Sequence, residues 1–271
     1  MPIDDSELLT DRAYLTGVQY RTEKNLAARQ LVYAYQQPKI DLAATVIDLA
    51  ALGGAETVAE IGCGNGIYLA ELTRRGHAGR LLGADLSPGM LAVARSGAPT
   101  AGLLVGDAAA LPLADGVSGV TLAAHMLYHV PDRRAAVREF RRITRPGGLL
   151  LVVLNGADHL RELRALVHTA APDAGLRAEA AWVWSDSGQA GPGLDLDAGA
   201  ELLAGPFGTV ERHDFTSELA IPAAQPVLDY VRSLRVTQSL SDPDLLVAAV
   251  ASRLSGEVFR VRTHCGLLIC R

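Results

Sequence analysis

Three cysteines in 271 residues, Cys63, Cys265 and Cys270, leave no spacing that resembles a metal-ligand set. So few thiols fit a reducing compartment rather than a disulfide-stapled scaffold. Aromatic residues make up only 5% of the chain, and seven of those side chains are tyrosines. No block of lysine or arginine interrupts a chain whose formal charge is -5, so a nucleic-acid surface is not expected. The longest run of large apolar residues, Leu149 to Leu154, is far too short to span a bilayer, and no basic-then-apolar leader opens the chain. There is no internal repeat and no low-complexity tail. These absences predict a soluble, cytoplasmic protein with neither nucleic acid nor membrane as partner, acting as a monomer or homodimer. The length suits one large α/β domain, or a core with a small cap.

What is present is organised around Thr57 to Gly66. Val58, Ala59 and Ile61 read as a short buried strand, Gly62, Gly64 and Gly66 as a turn, and Ile67 to Arg75 as a helix. A strand, a glycine turn and a helix N-terminus together form a ligand cradle. The dinucleotide fingerprint G-x-G-x-x-G fails, because its third glycine would fall on Ile67. Glu60, two residues before the first glycine, would repel a bare pyrophosphate and welcome a cationic or amine-bearing ligand.

From this stretch the pattern runs β-α-β-α. Strands are expected at Arg80 to Leu86, Leu103 to Gly106, Val117 to Ala123 and Leu149 to Leu154. Ser87-Pro88 supplies an N-cap and a first-turn proline for one helix, and Pro131-Asp132 opens another. Strands joined by helices of this length predict a parallel sheet with right-handed crossovers, covered on both faces. Ligands in such sheets bind at the carboxyl ends of the strands. Glu60, Asp85, Asp107, His125 and Asn155 all fall at those ends.

Asp85, roughly twenty residues past the glycines, stands where an acid grips a ribose diol. Asp107 could accept an adenine amine, with Leu86 and Met90 flanking the ring. Ribose, adenine and a cationic amino-acid tail describe S-adenosylmethionine better than NAD.

Five stretches taken together resemble the class I S-adenosylmethionine-dependent methyltransferases, in their small-molecule branch: Glu60-Ile-Gly-Cys-Gly-Asn-Gly66, Asp85-Leu-Ser-Pro-Gly-Met90, Gly106-Asp107-Ala108-Ala-Ala-Leu-Pro112, His125-Met-Leu-Tyr-His-Val-Pro-Asp132 and Arg145-Pro-Gly-Gly148. The likeness covers residues 57 to 155. It implies a Rossmann-like, seven-stranded, mostly parallel sheet of order 3-2-1-4-5-7-6, with Thr209 to Leu219 and Phe259 to Cys270 as the late strands. Residues 1–50 would be an N-terminal helical lid and 51–271 the core, with insertions at about 157–200 and 220–255 contributing to a substrate cap. The resemblance also implies that Glu60, Gly62, Gly64 and Gly66 meet the methionine portion, Asp85 the ribose, Asp107 and Ala108 the adenine, and Ala124 the sulfonium. Arg29 and Tyr20 belong to the segment expected to close over the cofactor.

His125 lies where the methyl group should emerge, as a general base or as a binding contact. His129 is expected to make a structural hydrogen bond rather than to complete a metal site. Tyr128, Asn155, His159, Trp182, Trp184 and Tyr230 are candidates to line an acceptor pocket. The expected activity is methyl transfer to a small acceptor, a natural-product intermediate. The alternatives are intramolecular ring closure of the cofactor with release of methylthioadenosine, and a catalytically silent binding homologue.

Overall fold

The computed structural model describes residues 10–176 and 194–271. One mixed sheet carries the fold. Its eight strands are β1 (Gln36–Gln37), β2 (Val58–Ile61), β3 (Leu81–Asp85), β4 (Gly102–Val105), β5 (Ser118–Ala124), β6 (Thr144–Asn155), β7 (Val210–Ile221) and β8 (Phe259–Cys270). They lie in the order β1-β7-β8-β6-β5-β2-β3-β4. β2 through β6 pair in parallel, whereas β8 is antiparallel to both β6 and β7. Counted from the glycine strand, the seven larger strands therefore run 3-2-1-4-5-7-6, with the last in sequence reversed. The seven-strand expectation needs one correction. Gln36 and Gln37 leave the N-terminal helices and zip antiparallel onto Leu219 and Glu218, which adds an eighth strand at the β7 edge.

The central strands read as continuous apolar runs because both faces are covered. Period-two alternation sends Leu150, Val152 and Leu154 of β6 into one core with Phe140, Ile143 and Leu203, and sends Leu151 and Val153 into the other with Val46, Leu69 and Leu72. A third core lies under the far ends of β7 and β8. There Leu219, Ile221 and Val261 pack with Val32, Val231 and Val250. β6 begins earlier than its apolar run, because Thr144 pairs with Ser118 ahead of a register shift that carries the chain through Pro146-Gly147-Gly148.

Helices α1 (Lys24–Leu31), α2 (Leu42–Ala50), α3 (Ile67–Arg74), α4 (Pro88–Gly97), α5 (Arg133–Ile143), α6 (Arg161–Ala170), α7 (Leu196–Ala204), α8 (Ala224–Ser233), α9 (Arg235–Ser239) and α10 (Pro243–Ala251) complete the described architecture. Caps appear where short polar side chains predict them. Ser87 Oγ accepts from Met90 N with Pro88 opening α4, and Asp132 accepts from Ala135 N at the start of α5. No described helix is long and apolar enough to cross a membrane.

The chain before α1 passes through one helical turn, Arg12–Tyr14, and a π-helical stretch, Leu15–Gln19, and then docks on the start of α4. Ser87 Oγ donates to the Tyr20 carbonyl at 2.6 Å. This places Tyr20 over the carboxyl ends of β2 and β3.

Candidate active site

Where β2 and β5 lie side by side the strand order reverses, and α/β sheets hold ligands outside the strand ends at such a point. A cavity of about 740 Å³ opens there. Its wall includes Glu60, Gly62, Gly64, Asp85, Leu86, Met90, Asp107 and Ala108 from the β2–β4 side. From the β5, β6 and β8 side come Ala124, His125, Tyr128, Asn155, His159, Thr263 and Cys265. Tyr20, Arg29, Tyr33 and Tyr230 cover it from the N-terminal segment and α8. Elements far apart in the chain thus bring nearly all the residues singled out from the sequence to one space. Gly66 does not line it, and Trp182 and Trp184 lie outside the described residues.

The β2–β4 side is acidic. Glu60 is 2% exposed, and its Oε2 has no hydrogen-bond partner. Burial pushes its carboxyl well above the usual carboxylate range, and the nearby Asp85 adds to the rise. A cationic amine in the cavity would reverse that rise. Asp85 is also shifted up by burial, a shift opposed by N–H donors. Its Oδ2 accepts from Gly64 N and its Oδ1 from Ser87 N, each at 2.8 Å, so the carboxylate is held rigidly toward the turn. Asp107 Oδ1 accepts from Ala109 N, and Oδ2 receives the Arg12 guanidinium. Arg12 had no signal in the sequence, because the contact joins positions far apart in the chain.

Two of the three glycines serve different ends. A Cβ at Gly62 would stand 2.6 Å from Met126 Cβ, so the turn must be bare for the loop after β5 to close against it. A Cβ at Gly66, where φ is +75°, would stand 2.8 Å from Ala94 Cβ. That glycine admits α4 against α3 rather than a ligand.

The β5–β8 side is built from neutral groups. His125 has φ +52°, uncommon for a residue other than glycine, and its N–H donates to the Val153 carbonyl at 2.9 Å. This turn takes the chain off β5 so that both His125 and Met126 border the cavity. Burial pushes the His125 imidazole down to about 4 and, as the largest of several causes, that of His159 down to about 3. Both rings are therefore neutral near pH 7. Asn155 closes β6 opposite Cys265. His129 Nε2 meets the Tyr20 hydroxyl at 2.9 Å, a bond between the roof and the β5 loop. The Arg29 guanidinium donates to Ser233 Oγ and O and lies 5.8 Å over the Tyr20 ring, which fastens α1 to α8. Thr263, Cys265 and Phe215 also line the cavity without having been singled out. Their signal was present as alternation along two strands, but only pairing with β6 brings them to the site.

Residues 59–152 match the family described as "Methyltransferase domain". That match spans the β2–β6 stretch and agrees with the resemblance to class I S-adenosylmethionine-dependent methyltransferases read from the sequence. It is 35% identical over 108 residues to the malonyl-[acyl-carrier protein] O-methyltransferase of Serratia marcescens, a match covering 40% of this chain and 42% of that one. It is 37% identical over 101 residues to the demethylmenaquinone methyltransferase of Mycobacterium tuberculosis, covering 37% of this chain and 42% of that one. The chain thus spans about two-fifths of the length of the curated relatives it matches. Among solved structures, phosphoethanolamine N-methyltransferase 2 of Haemonchus contortus superposes with a TM-score of 0.59 at 16% identity, over 97% of this chain and 59% of that one. The YcgJ protein of Bacillus subtilis superposes with a TM-score of 0.57 at 18% identity, over 84% of this chain and 96% of that one. At these identities the superpositions show the fold alone.

S-adenosylmethionine is the methyl donor that the family implies. The site fits it on its own chemistry. The orphaned Glu60 carboxylate suits the ammonium, and the Asp85 carboxylate, already anchored by two N–H groups, keeps lone pairs for a diol.

Proposed function

We propose that the methyltransferase transfers the methyl group of S-adenosylmethionine to a small molecule held against β5, β6 and β8. One observation carries this reading: a single cavity runs from the acid-bearing ends of β2–β4 past His125 to His159, Thr263 and Cys265. Its volume of about 740 Å³ lies within the range of small-molecule pockets, roughly 300–1,000 Å³. Space beyond the acidic rim does not favour ring closure of the cofactor on itself, which needs no second molecule.

The bound donor supplies an electrophilic methyl carbon on sulfur, and the reaction is an in-line displacement. The protein's part is alignment and proton removal. Glu60 and the glycine turn between β2 and α3 would hold one end of the donor, and Asp85 and Asp107 would hold the other. The His125 imidazole, neutral by burial, would take the proton that a hydroxyl acceptor gives up on methylation. The products are the methylated acceptor, S-adenosylhomocysteine and a protonated imidazole, which returns its proton to solvent.

The test is incubation with S-adenosylmethionine alone and with a panel of small phenols, enols and amines, followed by nucleoside analysis. S-adenosylhomocysteine formed only when an acceptor is present supports the reading. Methylthioadenosine formed without any acceptor would replace it with ring closure, and no turnover together with tight cofactor binding would leave a silent binding homologue.

A further inference from the structure

The proton positions around His159 follow from one backbone donor. His264 N–H donates to His159 Nδ1 at 3.1 Å, so Nδ1 presents a lone pair. A neutral imidazole then carries its proton on Nε2. That Nε2 lies 3.0 Å from the Tyr33 hydroxyl. With the proton on nitrogen, the Tyr33 oxygen must accept, and its own O–H has to point elsewhere. Among the described residues, His159 is the only hydrogen-bond partner recorded for the Tyr33 hydroxyl. Burial keeps this arrangement from inverting, since an imidazole pushed down to about 3 does not gain a second proton near neutrality. The same burial holds the Tyr33 phenol well above its ordinary value, with Tyr230 and Cys265 adding to the rise, so Tyr33 keeps its proton.

Tyr33 is also fixed in place. It sits in a 3₁₀ turn, Val32–Tyr35, between the buried Val32 and the strand β1 that is zipped to β7. Its ring stacks near that of His159 at 18° between planes. Both side chains line the cavity. Among the described residues, the three carboxylates of the cavity wall, Glu60, Asp85 and Asp107, all stand at the ends of β2, β3 and β4, and none faces the half around Tyr33 to receive an amine.

Building on the acceptor half of the reading above, we propose that Tyr33, oriented by His159, is a hydrogen-bond donor reserved for an oxygen of the acceptor. The acceptor class is then a molecule with a carbonyl, enolate or phenolate oxygen rather than an amine. Tyr33 would touch the acceptor, and His159 is a positioning residue that acts through it.

The test uses the full chain loaded with S-adenosylhomocysteine and 4-nitrophenol as probe, a chromophore whose visible band reports its ionisation. A donor aimed at the phenolate lowers the pKa of the bound probe. Y33F should abolish that shift and weaken phenolate binding about tenfold, the scale of a hydrogen bond to a charged group. H159L should resemble Y33F, whereas H159Q, which restores an N–H near the Nε2 position, should recover part of the shift. Melting curves on each variant separate a lost donor from a lost fold, and the wild-type titration stands by itself if a variant fails to fold. Equal phenolate affinity in folded Y33F overturns the proposal, as does a wild type that leaves the probe unbound or raises its pKa. S-adenosylhomocysteine affinity, read by calorimetry on the same samples, keeps the outcomes apart. Failure to bind it defeats the cofactor reading, and the probe comparison run without it still decides Tyr33.

Discussion

The two halves of the cavity rim are made of the same material, loops leaving the ends of neighbouring strands, yet they solve opposite electrostatic problems. At β2–β4 three carboxylates converge, and one of them, Glu60, is buried with an oxygen that no described residue satisfies. At β5–β8 the titratable groups are histidines, with His125 and His159 held neutral by burial, tyrosines and Cys265. An unpaired buried carboxylate is costly unless a ligand answers it. The first half is therefore incomplete without a cation, whereas the second presents neutral groups that offer directed donors and lone pairs. On the proposed reading, the β2–β4 half would hold the charged cofactor and the β5–β8 half would orient the acceptor.

The sharpest way to break this comparison is to show that a residue of one half governs the other. His125→Ala should lower the methylation rate by about 10²- to 10⁴-fold, the scale of general base catalysis, while calorimetric affinity for S-adenosylhomocysteine stays within about twofold. A collapse of that affinity would move His125 to the cofactor half. Asp85→Ala should weaken S-adenosylhomocysteine by roughly 1.5–3 kcal/mol, as expected for hydrogen bonds to a charged group. Unchanged binding in the calorimeter would remove Asp85 from the ribose. Arg12→Ala should change the same affinity by less than about 1 kcal/mol, since its ion pair with Asp107 is largely solvent-exposed. A larger loss would make the N-terminal segment part of the binding site rather than its cover.

The smallest effects are in pH dependence, and their signs differ between regions. His125 and His159 have folded pKa values pushed down to about 4 and about 3, below the unfolded value near 6.5. The unfolded chain binds more protons in that window, so their contribution to stability falls as pH drops from about 6.5 toward 3. The rate should fall as pH drops through about 4, where the His125 base is lost. His264 behaves in the opposite way. It lies between Asp158 at 2.6 Å and Asp214 at 2.7 Å, and although burial opposes it, the two carboxylates raise its pKa. Its contribution is complete below the unfolded value near 6.5 and is lost as pH rises through the raised folded value. Melting temperature followed against pH should therefore sag on both sides, and His264→Asn should flatten only the alkaline side.

Much of the β2–β4 half was legible beforehand because its residues are local in the chain. Glu60 and the glycines share one turn, and Asp85 precedes a Ser-Pro helix start that announces the end of its strand. Phe259–Cys270 is a strand within its expected bounds, since long apolar alternation has few competing readings. The other half was only partly legible. Tyr33 was one of four tyrosines in a segment read as helical, and nothing local marked Gln36–Gln37 as a strand, because a two-residue edge strand is created by its partner. Gly66 looked like part of the ligand cradle, but what it accommodates is Ala94 of a neighbouring helix.

Sequence alone determined which side chains stand at the strand ends, because turn chemistry and period-two burial are written in consecutive residues. It also determined the acidic character of the cofactor half. Only the tertiary structure decided that Arg12 covers Asp107, that the His264 N–H meets His159 Nδ1, and that His159 Nε2 meets the Tyr33 hydroxyl. Those relations depend on hydrogen-bond geometry between segments roughly a hundred residues apart, and no local pattern encodes the direction of a proton.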